Sequence, residues 1–218
     1  MAFLAKHNIR ERILRGQLIA DADNQFKEKQ LHQSSYDLRL GPEIYIVADP
    51  SPKLLKQEEP YFSVPPGQFA ILTTFETITM PDDLMAFISI RSKFKFQGLV
   101  NISGFHVDPS FKGRLRFGVQ NVGPTDVHLK LETPLFTIFF AELSSGGIEK
   151  TRDEENDIHF EQNLTGLRLE DVQLLGGSSI TLSGIQKQIE KFENQVKIYG
   201  AIAATAAVTL LLKILLGK

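Results

Sequence analysis

The string SSYDLRLG (residues 34–41) opens a stretch of about 110 residues, ending at Leu143, that carries the signals of β-structure. Short runs of aromatic and β-branched residues follow one another there, several alternate between apolar and polar residues, and Pro, Gly or Asp stands between them. The runs are Tyr45–Val47, Phe69–Leu72, Met85–Ile88, Leu115–Val119, Val127–Leu131 and Phe136–Phe140. Many short strands separated by turn residues are typical of a barrel or a sandwich. The sequence therefore predicts a mainly β fold.

Two segments flank this β-rich part. Before it, apolar residues at helical spacing predict a short N-terminal helix over residues 8–18. No apolar run typical of a secretory leader follows Met1, so we expect this part of the chain to lie in the cytoplasm. After it, residues 144–179 carry Gly and Ser pairs and an acidic cluster, and we interpret them as a polar linker or a peripheral excursion. The predicted barrel domain covers residues 1–143.

The composition excludes several classes of protein. The 218 residues include no cysteine, which excludes disulfides, thiolate catalysis and the Cys-ligated zinc of zinc-dependent deaminases. The formal net charge is only −2, so no nucleic-acid partner is expected. The sequence requires no cofactor and predicts no metal site built by the chain itself.

Residues 180–197 carry a heptad pattern, in which apolar residues recur at alternating intervals of three and four. They are Leu182, Ile185, Ile189, Phe192, Val196 and Tyr199. A stripe of this kind predicts a helix that pairs with other helices, here a coiled-coil stem that joins copies of the chain. The alternative is an amphipathic helix that packs on its own barrel.

Residues 198–218 are mostly apolar, and no charged residue occurs from Ile198 to Leu212. A helix over these residues would be about as long as the hydrocarbon core of a bilayer is thick. The sequence therefore predicts a single-pass C-terminal transmembrane helix that anchors the chain to a membrane, with the N-terminal domain in the cytoplasm. Because much of the run is alanine, a buried helix of a bundle is the alternative.

Four groups of strings, in order along the chain, resemble those of bacterial and archaeal dCTP deaminases, relatives of the trimeric dUTPases. They are SSYDLRLG (34–41), then PGQF (66–69) with TTFE (73–76) and MPDDL (80–84), then RSK (91–93), and finally VDPSFKG (107–113). The resemblance implies a distorted, jelly-roll-like β-barrel of the dUTPase type. It also implies a homotrimer with nucleotide sites between the subunits.

The resemblance assigns roles to residues in these strings. Arg91, Ser92 and Lys93 would bind phosphate oxygens, for which a guanidinium fork and a hydroxyl are suited. Asp108 would lie beside the nucleotide sugar and orient the attacking water in an active member; the alternative is an Asp that only shapes the following turn. Asp37 is interpreted as structural. Magnesium would enter only with a bound deoxynucleotide triphosphate.

The chain departs from the family at positions that serve the pyrimidine and the chemistry. Gly118 stands where deaminases carry the glutamate that moves protons and activates water, and losing a general acid–base costs at least about 10²-fold in rate. Phe96 replaces a second arginine, Phe105 replaces a glycine that lets the pyrimidine approach the backbone, and Thr137 replaces a glutamine of a late strand. These departures predict a barrel that keeps the fold and has lost or altered the catalysis.

We therefore expect a membrane-anchored, trimeric nucleotide-binding or scaffold protein that lacks the family's catalysis. One alternative is an active dCTP deaminase or dUTP diphosphatase of nucleotide metabolism. A second is a membrane effector whose tail helices assemble when the barrel binds a nucleotide or a partner.

Overall fold

A computed structural model describes residues 2–20, 22–46, 49–144 and 182–215. The chain divides into two compact units, residues 1–179 and residues 180–218. The described part of the first unit is mainly β, which confirms that part of the predicted fold class. The described part of the second unit is one helix.

Short helices and a series of strands build the first unit. The strands are β1 (Leu18–Ile19), β2 (Tyr36–Ile46), β3 (Asp49–Leu54), β4 (Tyr61–Val64), β5 (Phe69–Thr79), β6 (Leu84–Ile90), β7 (Leu99–Asn101), β8 (His106–Val107), β9 (Lys112–Asn121), β10 (Val127–Lys130) and β11 (Pro134–Glu142). The helices are α1 (Lys6–Leu14), α2 (Ala22–Gln25) and α3 (Ser92–Lys95), with a 3₁₀ turn at Glu28–Gln30. Several strands extend beyond the predicted runs; β5, for example, continues to Thr79 because threonine and isoleucine favour strands.

Nine of these strands form one sheet. Its order is β7-β9-β5-β2-β11-β6-β8, with β1 added to β5 and β3 added to β2, while β4 and β10 form a separate two-stranded sheet. Every pairing among the described strands is antiparallel. Register shifts interrupt the pairing of β2 with β5, of β5 with β9 and of β11 with β2. Such irregularities bend strands, as a barrel-like sheet requires.

The core follows from the alternation of residues along the strands. In β6 the even-numbered residues are buried and the odd-numbered residues are partly exposed. Phe117 and Phe136 are fully buried and stack with 3.8 Å between ring centroids. Successive side chains of a strand point to opposite faces, so one face of β6 builds the core and the other can present polar groups.

A buried ion pair joins β2 to β5. Arg39 Nε donates to Glu76 Oε1 at 2.7 Å, and the Arg39 backbone N–H donates to Oε2 at 2.8 Å. Arg39 also reaches Glu132 at 2.8 Å and lies 4.1 Å from the centroid of the Phe75 ring. Burial raises the pKa of Glu76, although the bonds from Arg39 oppose this shift. The pair therefore links two central strands while both charges lose their hydration.

The N-terminal helix is shorter than the predicted helix over residues 8–18. Helix α1 ends at Leu14, and Gly16 takes a left-handed conformation with φ of 78°. The Gly16 N–H donates to the carbonyl of Ile13 at 2.9 Å. Because glycine adopts this conformation without steric cost, it ends the helix, and Leu18 begins β1 instead.

The described part of the second unit is α4 (Leu182–Leu215), a helix of 34 residues. Its heptad positions with described side chains are all more than half exposed: Ile189, Phe192, Val196 and Tyr199. The stem remains a prediction. The predicted linker lies, from residue 145 onward, outside the described residues.

The predicted membrane anchor over residues 198–218 is wrong. Within the described residues, no helix is long and apolar enough to cross a membrane. The physical reason is the composition of the run, in which alanines and two threonines, Thr205 and Thr209, take the place of larger aliphatic residues. Such residues gain much less from transfer to hydrocarbon than Leu, Ile, Phe or Val. The predicted membrane localisation and membrane partner fail with the anchor.

Candidate functional site

Three neighbouring strands place a row of polar residues across the sheet. Strand β11 lies between β2 and β6, and Thr137 is the direct partner of Asp37 on one side and of Ser89 on the other. Cross-strand partners share a face, and residues two apart on one strand do so as well. The alternation therefore brings Arg91, two residues after Ser89, to the same face.

This face forms one wall of an open cleft with a volume of about 410 Å³. Its basic side chains are Arg91, Lys93 and Lys95. Its other polar side chains are His32, Ser35, Asp37, Ser89, Ser92 and Thr137. Asp37 is the one carboxylate among the described lining residues, so cations outnumber anions and the cleft is suited to a negatively charged ligand.

The guanidinium of Arg91 is held from two sides. Its Nε lies 3.1 Å from Asp37 Oδ2, and its Nη1 donates to the carbonyl of Pro134 at 3.4 Å. The Arg91 backbone N–H donates to Leu135 at 2.9 Å, which fixes the start of α3 against β11. Lys95, one turn later, donates from Nζ to Ser89 Oγ at 2.7 Å. Both cations are thereby positioned before any ligand binds.

Asp37 has a role that its interpretation as a purely structural residue does not include. Its side chain is only 5% exposed, yet it lines the cleft. Oδ1 accepts from Thr137 Oγ1 at 2.7 Å, and Oδ2 lies 3.0 Å from His32 Nε2. A buried carboxylate is costly without such partners. Asp37 therefore holds Arg91, His32 and Thr137 together at the base of the cleft.

Asp108 lies in a second, smaller cleft of about 170 Å³, which shares no lining residue with the first. Its carboxylate is 3.4 Å from His106 Nε2, and Arg114 and Arg116 also line this cleft. The following turn is closed by the backbone, since the Asp108 carbonyl accepts from the N–H of Phe111 at 3.3 Å. In a single chain, Arg91 and Asp108 thus line different clefts.

Gly118 lies where a side chain would meet close neighbours. A Cβ atom there would be 2.6 Å from Ser103 Oγ and 3.0 Å from Phe69 Cζ. Ser103 Oγ accepts the Gly118 N–H at 3.0 Å, so this hydroxyl is held in place. The Cβ atom of any side chain at this position would therefore press on Phe69 and Ser103.

The remaining altered positions differ in their surroundings. Phe96 is 90% exposed and Phe105 is 54% exposed, and neither lines either cleft. Thr137, by contrast, lies in the first cleft and donates to Asp37. Among the parts of the chain that the structure describes, no group of His, Asp or Glu side chains could hold a metal ion.

The string of residues 91–93 locates the first cleft from sequence, but four polar residues of its lining were missed: His32, Ser35, Ser89 and Lys95. Lys95 could have been found, because it continues the basic pattern RSKFK (residues 91–95). His32 and Ser89 carry no such signal, since His32 is placed by the turn before β2 and Ser89 by the pairing of β6 with β11. The sheet supplies this information and the linear pattern does not.

The fold is a curled, mainly antiparallel sheet that carries a basic cleft on the face shared by β2, β11 and β6. Comparisons with known proteins then identify its family. The family model described as dCTP deaminase-like matches residues 3–143. The dUMP-forming dCTP deaminase of Methanosphaera stadtmanae is 26% identical over 72% of this chain and 87% of its own length. That of Methanothermobacter thermautotrophicus is 30% identical over 66% of this chain and 81% of its own length.

A solved structure agrees with the fold. The 2'-deoxycytidine 5'-triphosphate deaminase of Agrobacterium tumefaciens matches with a TM-score of 0.55 and 19% identity, over 74% of this chain. This chain spans about half, 53%, of that chain. With the family model covering most of its length, the chain belongs to the dCTP deaminase-like family.

Proposed function

We propose that the protein binds a deoxynucleoside triphosphate and holds its phosphates in the basic cleft. The observation that carries this proposal is the convergence of Arg91, Lys93 and Lys95 on one open cleft. Phosphate oxygens are bound best by charged donors, above all by a guanidinium, and hydroxyl groups add further donors. Arg91 and Ser92 also stand where the family's phosphate-binding string stands. Magnesium would accompany the triphosphate.

The proposal includes a homotrimer in which a second copy completes each site. Arg91 and Asp108 line separate clefts in one chain, which fits a nucleotide site assembled from two copies. An exposed apolar surface supports a protein partner. This β7 patch consists of Phe96, Val100, Ile102 and Val122, which are between 37% and 90% exposed. Strand β7 ends the order of the large sheet, so the patch lies at its edge.

We also propose that the deamination of the family is lost. Gly118 supplies no carboxylate, and Phe69 and Ser103 lie within about 3 Å of where its Cβ would be. The curated relatives favour a second candidate, an active dCTP deaminase, because that activity is in their names. An active enzyme would need another group to move the proton that the family's glutamate moves.

The test uses the full chain with dCTP and, separately, with dUTP. Calorimetry measures binding, and release of ammonia and pyrophosphate measures turnover. We expect dCTP binding with neither product above the uncatalysed rate. Ammonia release at the rate of the Methanosphaera enzyme, run in parallel, would establish the second candidate and refute the loss of catalysis. Absence of binding to any triphosphate would refute the proposed function itself.

A further inference from the structure

A histidine lies beside the carboxylate of the basic cleft. His32 Nε2 is 3.0 Å from Asp37 Oδ2, and the same oxygen is 3.1 Å from Arg91 Nε. The His32 side chain is 48% exposed, while that of Asp37 is 5% exposed. Thr137 donates to the other oxygen at 2.7 Å. One buried carboxylate is therefore shared by a solvent-accessible histidine, the phosphate-site arginine and a hydroxyl.

The contact determines which nitrogen of His32 carries the proton of the neutral ring. A carboxylate only accepts hydrogen bonds, so Nε2 must be the donor toward Asp37. A second proton then binds at Nδ1 and makes the ring a cation without breaking this contact. The bond to Asp37 becomes charge-assisted and therefore stronger. The protonated ring also competes with Arg91 for Oδ2.

We infer that His32 is a further phosphate-site residue, whose protonation tightens the binding of a phosphate ligand in the cleft. The inference rests on the proposed nucleotide binding and adds to it a residue outside the RSK string (residues 91–93). Protonated His32 neutralises the negative charge of Asp37. The carboxylate then weakens less the attraction of Arg91 and the neighbouring lysines for the ligand. The cleft gains one unit of positive charge as the pH falls.

Among the described side chains around the cleft, His32 is the one whose type ordinarily changes charge near neutral pH. The side chains that share the cleft wall from neighbouring elements are Arg91, Lys93 and Lys95 around α3, Asp37 on β2, and Thr137 and Phe139 on β11. The 3₁₀ turn before His32 carries Glu28, but this carboxylate is engaged by Arg10 and lies 4.0 Å from Lys6 Nζ, both on α1. Of these side-chain types, only histidine ordinarily changes charge between about pH 8 and about pH 5.

The test measures the affinity of the full chain for inorganic triphosphate by calorimetry, between about pH 8 and about pH 5.5. The variants are His32→Gln, which is neutral throughout, and His32→Lys, which is charged throughout. His128→Gln is the matched control, because His128 lies on β10, contacts Ser63 and does not line the cleft. The ligand also gains a proton in this range. We therefore compare, at each pH, the affinity of a variant with the affinity of wild type.

We expect the wild-type affinity to rise about fivefold more than that of His32→Gln on acidification, the effect of one unit charge at roughly 4 Å in water. His128→Gln should follow wild type, and His32→Lys should show the same pH dependence as His32→Gln while binding the triphosphate more tightly at every pH. Parallel curves for wild type and His32→Gln would overturn the inference and leave the proposed function intact. No triphosphate binding by wild type at any pH would overturn both.

Discussion

Hydrogen bonds and an ion pair hold both the side chain and the backbone of Arg91 at the cleft. This fixed position predicts that Arg91 contributes strongly to the affinity for a triphosphate. We expect Arg91→Ala to weaken triphosphate binding by about 10- to 100-fold, since a charge-assisted bond contributes about 1.5–3 kcal/mol. Asp108→Ala should have a smaller effect, because in the proposed site Asp108 lies beside the sugar and does not contact the phosphates. Calorimetry on the full chain measures both. Arg15→Ala, which removes an exposed ion pair with Glu11, is the control and should bind as wild type does.

The crowding around Gly118 predicts how a side chain there changes the stability of the protein. Gly118→Ala should lower the free energy of unfolding by about 1–3 kcal/mol, because its Cβ would press on Phe69 and Ser103. Gly200→Ala is the matched control: apart from its own turn of helix, nothing lies within 4 Å of where its Cβ would be, and alanine favours a helix interior. Urea unfolding measures both variants. A Gly118→Ala protein as stable as wild type would show that room exists for a side chain, and would weaken the case for lost catalysis.

The sequence predicted the residues of this site unevenly. Arg91, Ser92 and Lys93 form one local string, and the structure places all three in one cleft. Asp37 and Thr137 lie 100 positions apart in the chain, and their hydrogen bond depends on the register of β2 with β11. No local pattern encodes that register, so the sequence could name both residues without joining them.

Among the elements, β2 and β5 depend on the buried pair of Arg39 and Glu76. We expect Arg39→Met to destabilise the protein by about 3–5 kcal/mol at neutral pH, because it leaves a buried carboxylate without its cation. Arg15→Met, at an exposed pair, should cost less than about 1 kcal/mol. Thermal and urea unfolding measure the two losses.

The effect of Arg39→Met should depend on pH in a direction set by Glu76. Burial raises the pKa of Glu76 in the folded state above its ordinary value of 4.5. Because the pKa of Glu76 is higher in the folded state, this carboxyl contributes stability when the pH is below its pKa in the unfolded state. The contribution is lost as the pH rises through its pKa in the folded state. Removing Arg39 raises the pKa of Glu76 in the folded state further. The loss of stability in Arg39→Met should therefore become smaller as the pH falls toward about 4.5. A pH-independent loss would contradict this account of the pair.

Helix α4 carries its apolar residues in a heptad stripe that is exposed in the single chain. We propose that copies of α4 pair along this stripe. Ile189→Asp should then shift the full chain from trimer toward monomer, because a charge at a coiled-coil core position is costly. Asn194→Asp adds the same charge on the polar side and is the control. Equal dissociation of the two variants in sedimentation would exclude the stem.

Sequence patterns predicted whether a segment is a helix or a strand better than they predicted where it ends or what surrounds it. The strand runs lie in strands, but α1 ends four residues early because Gly16 allows a left-handed turn. The uncharged run after Ile198 is helical as expected. Its length suggested a membrane span, whereas its alanine and threonine content does not provide the required apolarity. In this run the small side chains of alanine and threonine determine the apolarity more than the absence of charged residues does.

At the scale of the whole molecule, the two clefts and the β7 patch have one explanation in common. A basic cleft, a separate aspartate and an exposed apolar edge together fit a site that two copies build. The family fold is shared with dCTP deaminases, whereas Gly118 supplies no carboxylate, and on this glycine the proposed loss of catalysis depends. We therefore propose, as the central claim, that this barrel binds a triphosphate between copies of the chain.

A crystal structure of the full chain with a non-hydrolysable dCTP analogue tests this claim most directly. We predict that the phosphates contact Arg91, Ser92 and Lys93 of one copy. The sugar should lie beside Asp108 of another copy, with three copies around one axis. An analogue bound away from the basic cleft, or bound entirely within one copy, would contradict the account.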